Sequence, residues 1–550
     1  MTQPLRFGVN RRVLMLAAGA TLAAPAVLRA QGAAEDVVVT TDLGRLRGQR
    51  QNGVDVFKGV PYGAPVSGEG RFKPARPAEP WTGVRDALRL GTPAMQDAST
   101  VYGLNEPAPG EDCLYLNVWA PAGGGRGKPV MFYCHGGGYT TGSGGSTSQD
   151  GANIARQYDV VVVSTNHRLG LLGYIDLSEL GGPAYQGNQG LSDIALGLQW
   201  VKRNIAAFGG DPNNVLLFGE SGGGAKTSCL YAMPTVAPLF HKAAIQSGPT
   251  LRVQTRQQAA ATTRKLLEVL NIAPADWRRL HEIPAADFLK AQQLLQQRNG
   301  PDPAPGWSGI TDVRPGVWGP VVDGKLLPRQ PFQPDAPATA RDKPLMVGFL
   351  DEEASFFAWA GKDVAAYSLT EAGLRQRLAD LGPDLDEVLR TYRADRPGAT
   401  PTDLFFAIQT ARSFGLGSIR IAELKASQGA APVFFYNLAY RSNRRLEGAA
   451  RDVGAMHAID IPIVFDNVAS GDTLAGNRPD VGAVADNMSE MFATFARTGQ
   501  PSAKGQPAWP AYDLKTRATM VIDAQCQVVP DRFGAERKLW GRVDPLGRRA

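Results

Sequence analysis

Five residues, Gly219-Glu220-Ser221-Gly222-Gly223, hold the strongest chemical signal in this 550-residue chain. The apolar run Val215-Leu216-Leu217-Phe218 before them reads as a buried strand, and Ala225 to Ala232 can continue as a helix. Strand, sharp turn and helix around Gly-x-Ser-x-Gly is the setting of a nucleophile elbow, which thrusts a serine hydroxyl out of a strained turn. A hydroxyl becomes a useful nucleophile only when a base takes its proton and an acid orients that base. The chain has five histidines. His135 adjoins a glycine loop and is expected to prop it. His167 stands next to Arg168, and His241 and His281 fall in helix-like segments with no partner in view. His457, in Gly454-Ala455-Met456-His457-Ala458, is the candidate base. In this chemistry the acid lies between serine and histidine in chain order, just after a strand. Asp351, Glu352 and Glu353 all follow Leu345-Met346-Val347-Gly348, and the residues alone leave the three open, with a solvated acidic turn as the alternative. Asp323 is expected to make a turn.

The elements that would hold these groups alternate. Val130 to Cys134 reads as a buried strand running into His135-Gly136-Gly137-Gly138-Tyr139, whose glycines allow backbone N–H groups to face a ligand. Val160 to Ser164 is a second apolar strand. Leu191, Ile194, Ala195, Leu198, Val201 and Ile205 then recur at helical spacing. Further strands are expected at Leu345, Val433 and Met520, and Val37 to Arg50 with Val54 to Val60 reads as a hairpin turned at Asn52-Gly53. Strands alternating with helices predict an α/β fold with a large, mostly parallel sheet covered on both faces. The Gln-rich, Pro-punctuated region from Leu251 to Pro331 suits a helical insertion over that sheet. No internal repeat is present.

Together these motifs resemble the type-B carboxylesterases, the α/β-hydrolase family that includes the cholinesterases. The likeness runs through Phe57 to Tyr62, Glu111 to Val118, the His135 loop, Asn166 to Gly173, Gln199 to Ile205, Phe208 to Pro212, the Ser221 pentapeptide, Ile245 to Gly248, Pro320 to Gly324 and Gly454 to His457. It implies one catalytic domain over residues 31–550, with Ser221 as nucleophile, His457 as base and Glu353 as acid. Gly137, Gly138 and Gly222 would donate N–H groups to an oxyanion, and Ser247 would set a hydroxyl beside the acid. Gly222 stands where many relatives have alanine, a change that keeps the backbone donor. The substrate implied is a small-molecule ester, with no cofactor or metal. An amidase or carbamate hydrolase on the same residues is the alternative, and a non-catalytic neuroligin-like binding protein a more remote one. No tryptophan occurs from Gln96 to Glu111, where cholinesterases bind a quaternary ammonium, which disfavours choline esters. Only Trp318 is aromatic in Asp312 to Pro320, with Arg314 and Gly316 at positions often held by phenylalanine, so acyl groups larger than acetyl are expected to fit, and acidic ones as well if Arg314 stands at the pocket rim, the alternative being that Arg314 points to solvent.

The remaining composition bounds the reading. A net charge of +6, with 43% hydrophobic and 20% charged residues, is an ordinary globular balance. Basic residues are scattered without interleaved aromatics, which gives nucleic-acid binding no support. Residues 1–30 read as an export signal. Arg11-Arg12 precede an Ala/Leu-rich run that ends at Leu28-Arg29-Ala30, which resembles a twin-arginine signal. A Sec signal and an N-terminal anchor are the alternatives. A periplasmic or secreted protein is therefore expected. Four cysteines in an exported chain suggest bridges, yet Cys134 and Cys229 read as small buried hydrophobes. The family partner of Cys113 is Ala94 here, so at least two free thiols are expected.

Overall fold

A computed structural model describes residues 35–97, 106–298, 317–469 and 472–543. The export-signal segment and the Arg314–Gly316 stretch lie outside them.

The described strands form one sheet of thirteen. They are β1 (Glu35–Thr40), β2 (Arg45–Gln51), β3 (Val54–Pro61), β4 (Val84–Asp86), β5 (Tyr115–Pro121), β6 (Lys128–Cys134), β7 (Val161–Thr165), β8 (Gly210–Glu220), β9 (Lys242–Gln246), β10 (Leu345–Leu350), β11 (Val433–Leu438), β12 (Ala518–Ile522) and β13 (Gln527–Pro530). Their order is β1-β2-β3-β5-β7-β6-β8-β9-β10-β11-β12-β13, with β4 beside β2. From β7 through β12 every pairing is parallel, and the two flanks are antiparallel apart from β4.

The parallel strands are apolar throughout because both sheet faces are covered. Successive side chains of a strand point to opposite faces, and the core divides accordingly. Phe132, Val163, Leu217, Ile245, Val347 and Phe435 pack on one side. Met131, Val162, Leu216, Ala244, Met346 and Phe434 pack on the other. The first side is covered by α1 (Gln189–Asn204) through Leu191, Ile194, Leu198 and Trp200, and by α2 (Gly222–Tyr231). The inserted region brings α3 (Arg256–Val269) and α4 (Ala285–Arg298) onto the same side, where Leu266, Trp277 and Phe288 are buried. The second side is covered by α5 (Val481–Thr498), which buries Val484, Met488, Met491, Phe492 and Phe495. This is the α/β-hydrolase arrangement.

Two boundaries depart from the sequence reading. The expected strand from Val37 to Arg50 is two strands. Thr41 closes a turn between them, its N–H and hydroxyl both donating to the Gly44 carbonyl at 2.9 and 2.8 Å. The Asn52-Gly53 turn is as expected, with φ of 49° and 78° as a two-residue hairpin turn requires. The helix after Ser221 starts at Gly222 rather than Ala225. Its glycines are poor helix formers in isolation, and burial against the sheet overrides that preference.

All four cysteines are free and buried. Burial pushes the Cys134 and Cys229 thiols up to about 12, so neither forms a reactive thiolate near neutral pH. Thiol counting under denaturing, non-reducing conditions is expected to find four per chain, with Cys134 and Cys229 resistant to alkylation before denaturation. A count of two or fewer would require a bridge.

Candidate active site

Ser221 sits where β8 passes into α2, at φ 56° and ψ −124°. A non-glycine residue at positive φ stores strain that its surroundings must hold. Here the Ser221 N–H donates to the Gln246 carbonyl at 2.9 Å, and the Ser221 carbonyl accepts from Ala225 N at 2.9 Å. The neighbouring glycines are required by space. A Cβ on Gly219 would lie 2.5 Å from the Gly223 carbonyl carbon and 2.6 Å from the Cys134 oxygen, and one on Gly223 would collide with that same oxygen.

The three acids after β10 go to different places. Asp351 pairs with Arg532 at 3.0 Å, away from His457. Glu352 pairs with Arg441 and Arg451 at 2.9 and 2.7 Å and accepts from Ala455 N. Glu353 alone reaches the histidine, with Oε2 2.5 Å from His457 Nδ1. Its other oxygen accepts from Leu350 N at 2.8 Å and Ser247 Oγ at 2.6 Å, and the carboxylate is fully buried. The structure thus brings Ser247, Glu353 and His457 into one chain of hydrogen bonds. Asp323 is buried and accepts from Lys325 N and Leu327 N at 2.8 and 3.0 Å, the expected turn. His135 contacts the Gly136 carbonyl at 2.9 Å. His241 and His281 do have partners, Val215 N and the Gly68 carbonyl, each at 3.1 Å.

No hydrogen bond joins Ser221 Oγ to His457. Instead Nε2 stands 3.3 Å from Glu220 Oε1. The imidazole is boxed by rings: Phe414 lies 4.7 Å away, Phe356 5.5 Å and Phe357 5.7 Å, centroid to centroid. Phe414 belongs to a π-helical turn, Ala411–Gly415, between helices Pro401–Thr410 and Leu416–Gln428.

Glu220 and Asp460 are the residues that sequence reasoning missed. Both are fully buried. Glu220 receives no hydrogen bond, and only one Asp460 oxygen does, from Gln246 Nε2 at 2.8 Å. Burial holds the Glu220 pKa well above the usual carboxylate range against the pull of His457. Burial and the nearby Glu353 charge raise Asp460 to about 7. For His457, burial works against charging, but Glu220, Glu353 and Asp460 outweigh it and raise the pKa to about 9. Glu220, Asp460 and His457 are coupled electrostatically. A signal was present in the chain: Glu220 occupies the variable position of the pentapeptide, and Asp460 follows His457 by three residues, about one helical turn.

The glycine loop closes the site. Gly137 and Gly138 take φ of 84° and 61°. The Gly137 carbonyl accepts from Thr140 N and Thr141 N at 3.2 and 3.0 Å. Gly138 lies directly on Gly222: a Cβ on Gly222 would approach Gly138 Cα to 2.5 Å and meet its N and O more closely still. The alanine of many relatives therefore does not fit here unless the loop moves.

The sequence model of the carboxylesterase family matches residues 35–539. The chain belongs to the carboxylesterase family. It is 34% identical to the para-nitrobenzyl esterase of Bacillus subtilis over 505 residues, 91% of this chain and 98% of that one. It is 31% identical to the phenmedipham hydrolase of Pseudarthrobacter oxydans, over 90% of this chain and 97% of that one. Among solved structures, a Geobacillus stearothermophilus carboxylesterase superposes with a TM-score of 0.77 at 38% identity, covering 92% of this chain and 99% of its own. This carboxylesterase is a carboxylic ester hydrolase.

Two outcomes follow for the carboxylesterase site. Gly222→Ala is expected to push the glycine loop away and lower kcat on the order of 10²-fold, the scale of losing an oxyanion donor. Unchanged kcat in the folded variant would show that the loop accommodates the methyl group. Negative charge on Glu220 favours the imidazolium form of His457, and were His457 the general base, only its neutral form would act. Glu220→Gln is therefore expected to move the acidic limb of the kcat/KM profile toward lower pH. A limb that stays in place would show that Glu220 carries no charge in that range.

Proposed function

We propose that this carboxylesterase cleaves esters through an acyl-enzyme, with Ser221 as nucleophile, His457 as base and Glu353 as its orienting acid. The observation that carries the reading is the buried Glu353–His457 contact at 2.5 Å beside a serine held on a strained elbow. Ser221 Oγ attacks the ester carbonyl as its proton passes to His457 Nε2, which turns from Glu220 toward the hydroxyl. Glu353 holds the Nδ1–H and stabilises the imidazolium. N–H groups of Gly137, Gly138 and Gly222 receive the tetrahedral oxyanion. The C–O bond to the alcohol breaks, the alcohol leaves with the proton from His457, and the acyl group stays on Ser221. Water then attacks with His457 again as base, releasing the acid and restoring the serine.

The rings of Phe356, Phe357 and Phe414 beside His457 make an apolar environment suited to apolar or aromatic ester groups. A relative named for phenmedipham hydrolysis is consistent with the second reading, an amidase or carbamate hydrolase using the same residues.

Ser221→Ala tests the central claim. It is expected to keep the fold and lose at least about 10⁴-fold in kcat on p-nitrophenyl esters, because the triad members act as a unit. A variant retaining a tenth of the wild-type rate would remove Ser221 from the role. Running p-nitroanilides beside the matching esters separates the two readings: comparable kcat/KM on both would favour the amidase.

A further inference from the structure

Lys226 is a lysine in the wrong place for a lysine. It lies on α2, five residues after Ser221, and is fully buried. Taking an amine out of water is costly, and an apolar side chain of the same length would pack there without that cost. Its Nζ donates to the carbonyl of His135 at 3.0 Å and lies 5.9 Å from the Tyr139 ring. His135 and Tyr139 bracket Gly136, Gly137 and Gly138. One amine on the serine's helix therefore grips the start of the glycine loop and faces the ring at its end.

We propose that Lys226 is a positioning residue that ties the oxyanion loop to the helix bearing Ser221, so that the N–H groups of Gly137 and Gly138 keep a fixed place relative to that of Gly222. The inference rests on the reading of Ser221 and the glycine loop given above. Its geometric basis is the contact surface between loop and helix. Gly138 presses on Gly222 and the Cys134 carbonyl presses on Gly223. Those are contacts of backbone against backbone, which stop the loop from moving inward but do not stop it from lifting away. The Lys226–His135 hydrogen bond pulls in the opposite direction. Steric contact on one side and a hydrogen bond on the other define one loop height, which an oxyanion hole needs because its donors act only at hydrogen-bond distance.

The surroundings fit this task. His135 and His167 stack face to face at 4.3 Å. Burial first, and then the Lys226 charge, hold both well below the ordinary histidine range, so neither competes as a cation. Cys134 and Glu220 are the groups that favour charge on Lys226. Burial brings the Lys226 amine down to about 7. An amine donates hydrogen bonds whether or not it carries the extra proton, so the clamp holds in both forms.

The test is Lys226→Met, which keeps the stem and removes the donor, with Lys226→Gln in parallel. For each, the readouts are kcat and KM on a p-nitrophenyl ester, the inhibition constant of an aryl trifluoromethyl ketone, Tm and the number of functional sites. The ketone adds to the serine as an oxyanion and so reports on the hole. Titration with a fluorophosphonate counts functional sites. For Lys226→Met the expectation is kcat per site down on the order of 10²-fold, ketone affinity down by a similar factor, KM within about threefold, and Tm unchanged or higher. A loosely structural role would lower Tm or the number of sites and leave kcat per site alone. The proposal is overturned if kcat per site and ketone affinity stay within about threefold of wild type in both variants, or if Lys226→Met fails to fold. Failure of the underlying reading is distinct, because Ser221→Ala would then retain activity whatever the Lys226 variants do.

Discussion

The site depends on backbone lying against backbone beneath Ser221. The Cys134 carbonyl at the end of β6 occupies the space where a side chain on Gly219 or Gly223 would be, and Gly138 occupies the space beside Gly222. A parallel sheet delivers this proximity because β6 and β8 are hydrogen-bonded neighbours, with Cys134 opposite Gly219. The strand that carries the serine and the strand that carries the glycine loop end side by side. The turn after β8 can then rise at positive φ only because its neighbours have no Cβ. Binding groups in α/β folds collect at the carboxyl ends of strands for the same reason.

The second constraint is charge held without water. Glu353 accepts from Ser247, Leu350 and His457. Hydrogen bonds to a charged group contribute ~1.5–3 kcal/mol each, which offsets part of the cost of burying it. Glu220 lacks such donors and Asp460 has one, so both are pushed toward the protonated state. Carboxyl groups thus meet His457 at both ring nitrogens, one hydrogen-bonded and oriented at Nδ1 and one without hydrogen bonds near Nε2.

Much of this was legible in the chain. The run Val215 to Phe218 with its glycines announced a strand, a turn and a helix, and the structure places Ser221 on that turn. The apolar runs at β6, β7, β10, β11 and β12 announced a sheet buried on both faces. The acid was not legible from the residues, because Asp351, Glu352 and Glu353 share one strand end. What separates them is distant in sequence: Arg532 takes the first, Arg441 and Arg451 the second, and Ser247 and His457 the third. The resemblance to relatives pointed to Glu353, where the structure puts the histidine contact. Glu220, Asp460 and Lys226 went unread because standing close in sequence to Ser221 or His457 does not by itself show that a charged side chain is buried. The break between β1 and β2 was missed because Thr41 makes its turn through its own hydroxyl, which alternation of apolar residues does not reveal.

The π-helical turn at Ala411–Gly415 has a consequence for how this region can change. Such a turn is an α-helix holding one surplus residue. In a regular α-helix one residue advances the rotation by about 100°, but a π turn takes up its surplus residue within one wider turn, so Pro401–Thr410 and Leu416–Gln428 keep the relative rotation they would have without it. Deleting one residue from Ala411–Gly415 would therefore restore regular α-helical pairing with both flanks in place, and the change would fall on the turn itself, where Phe414 lies against the His457 ring. The surplus residue thus serves the local position of that ring and not the packing of the two flanks.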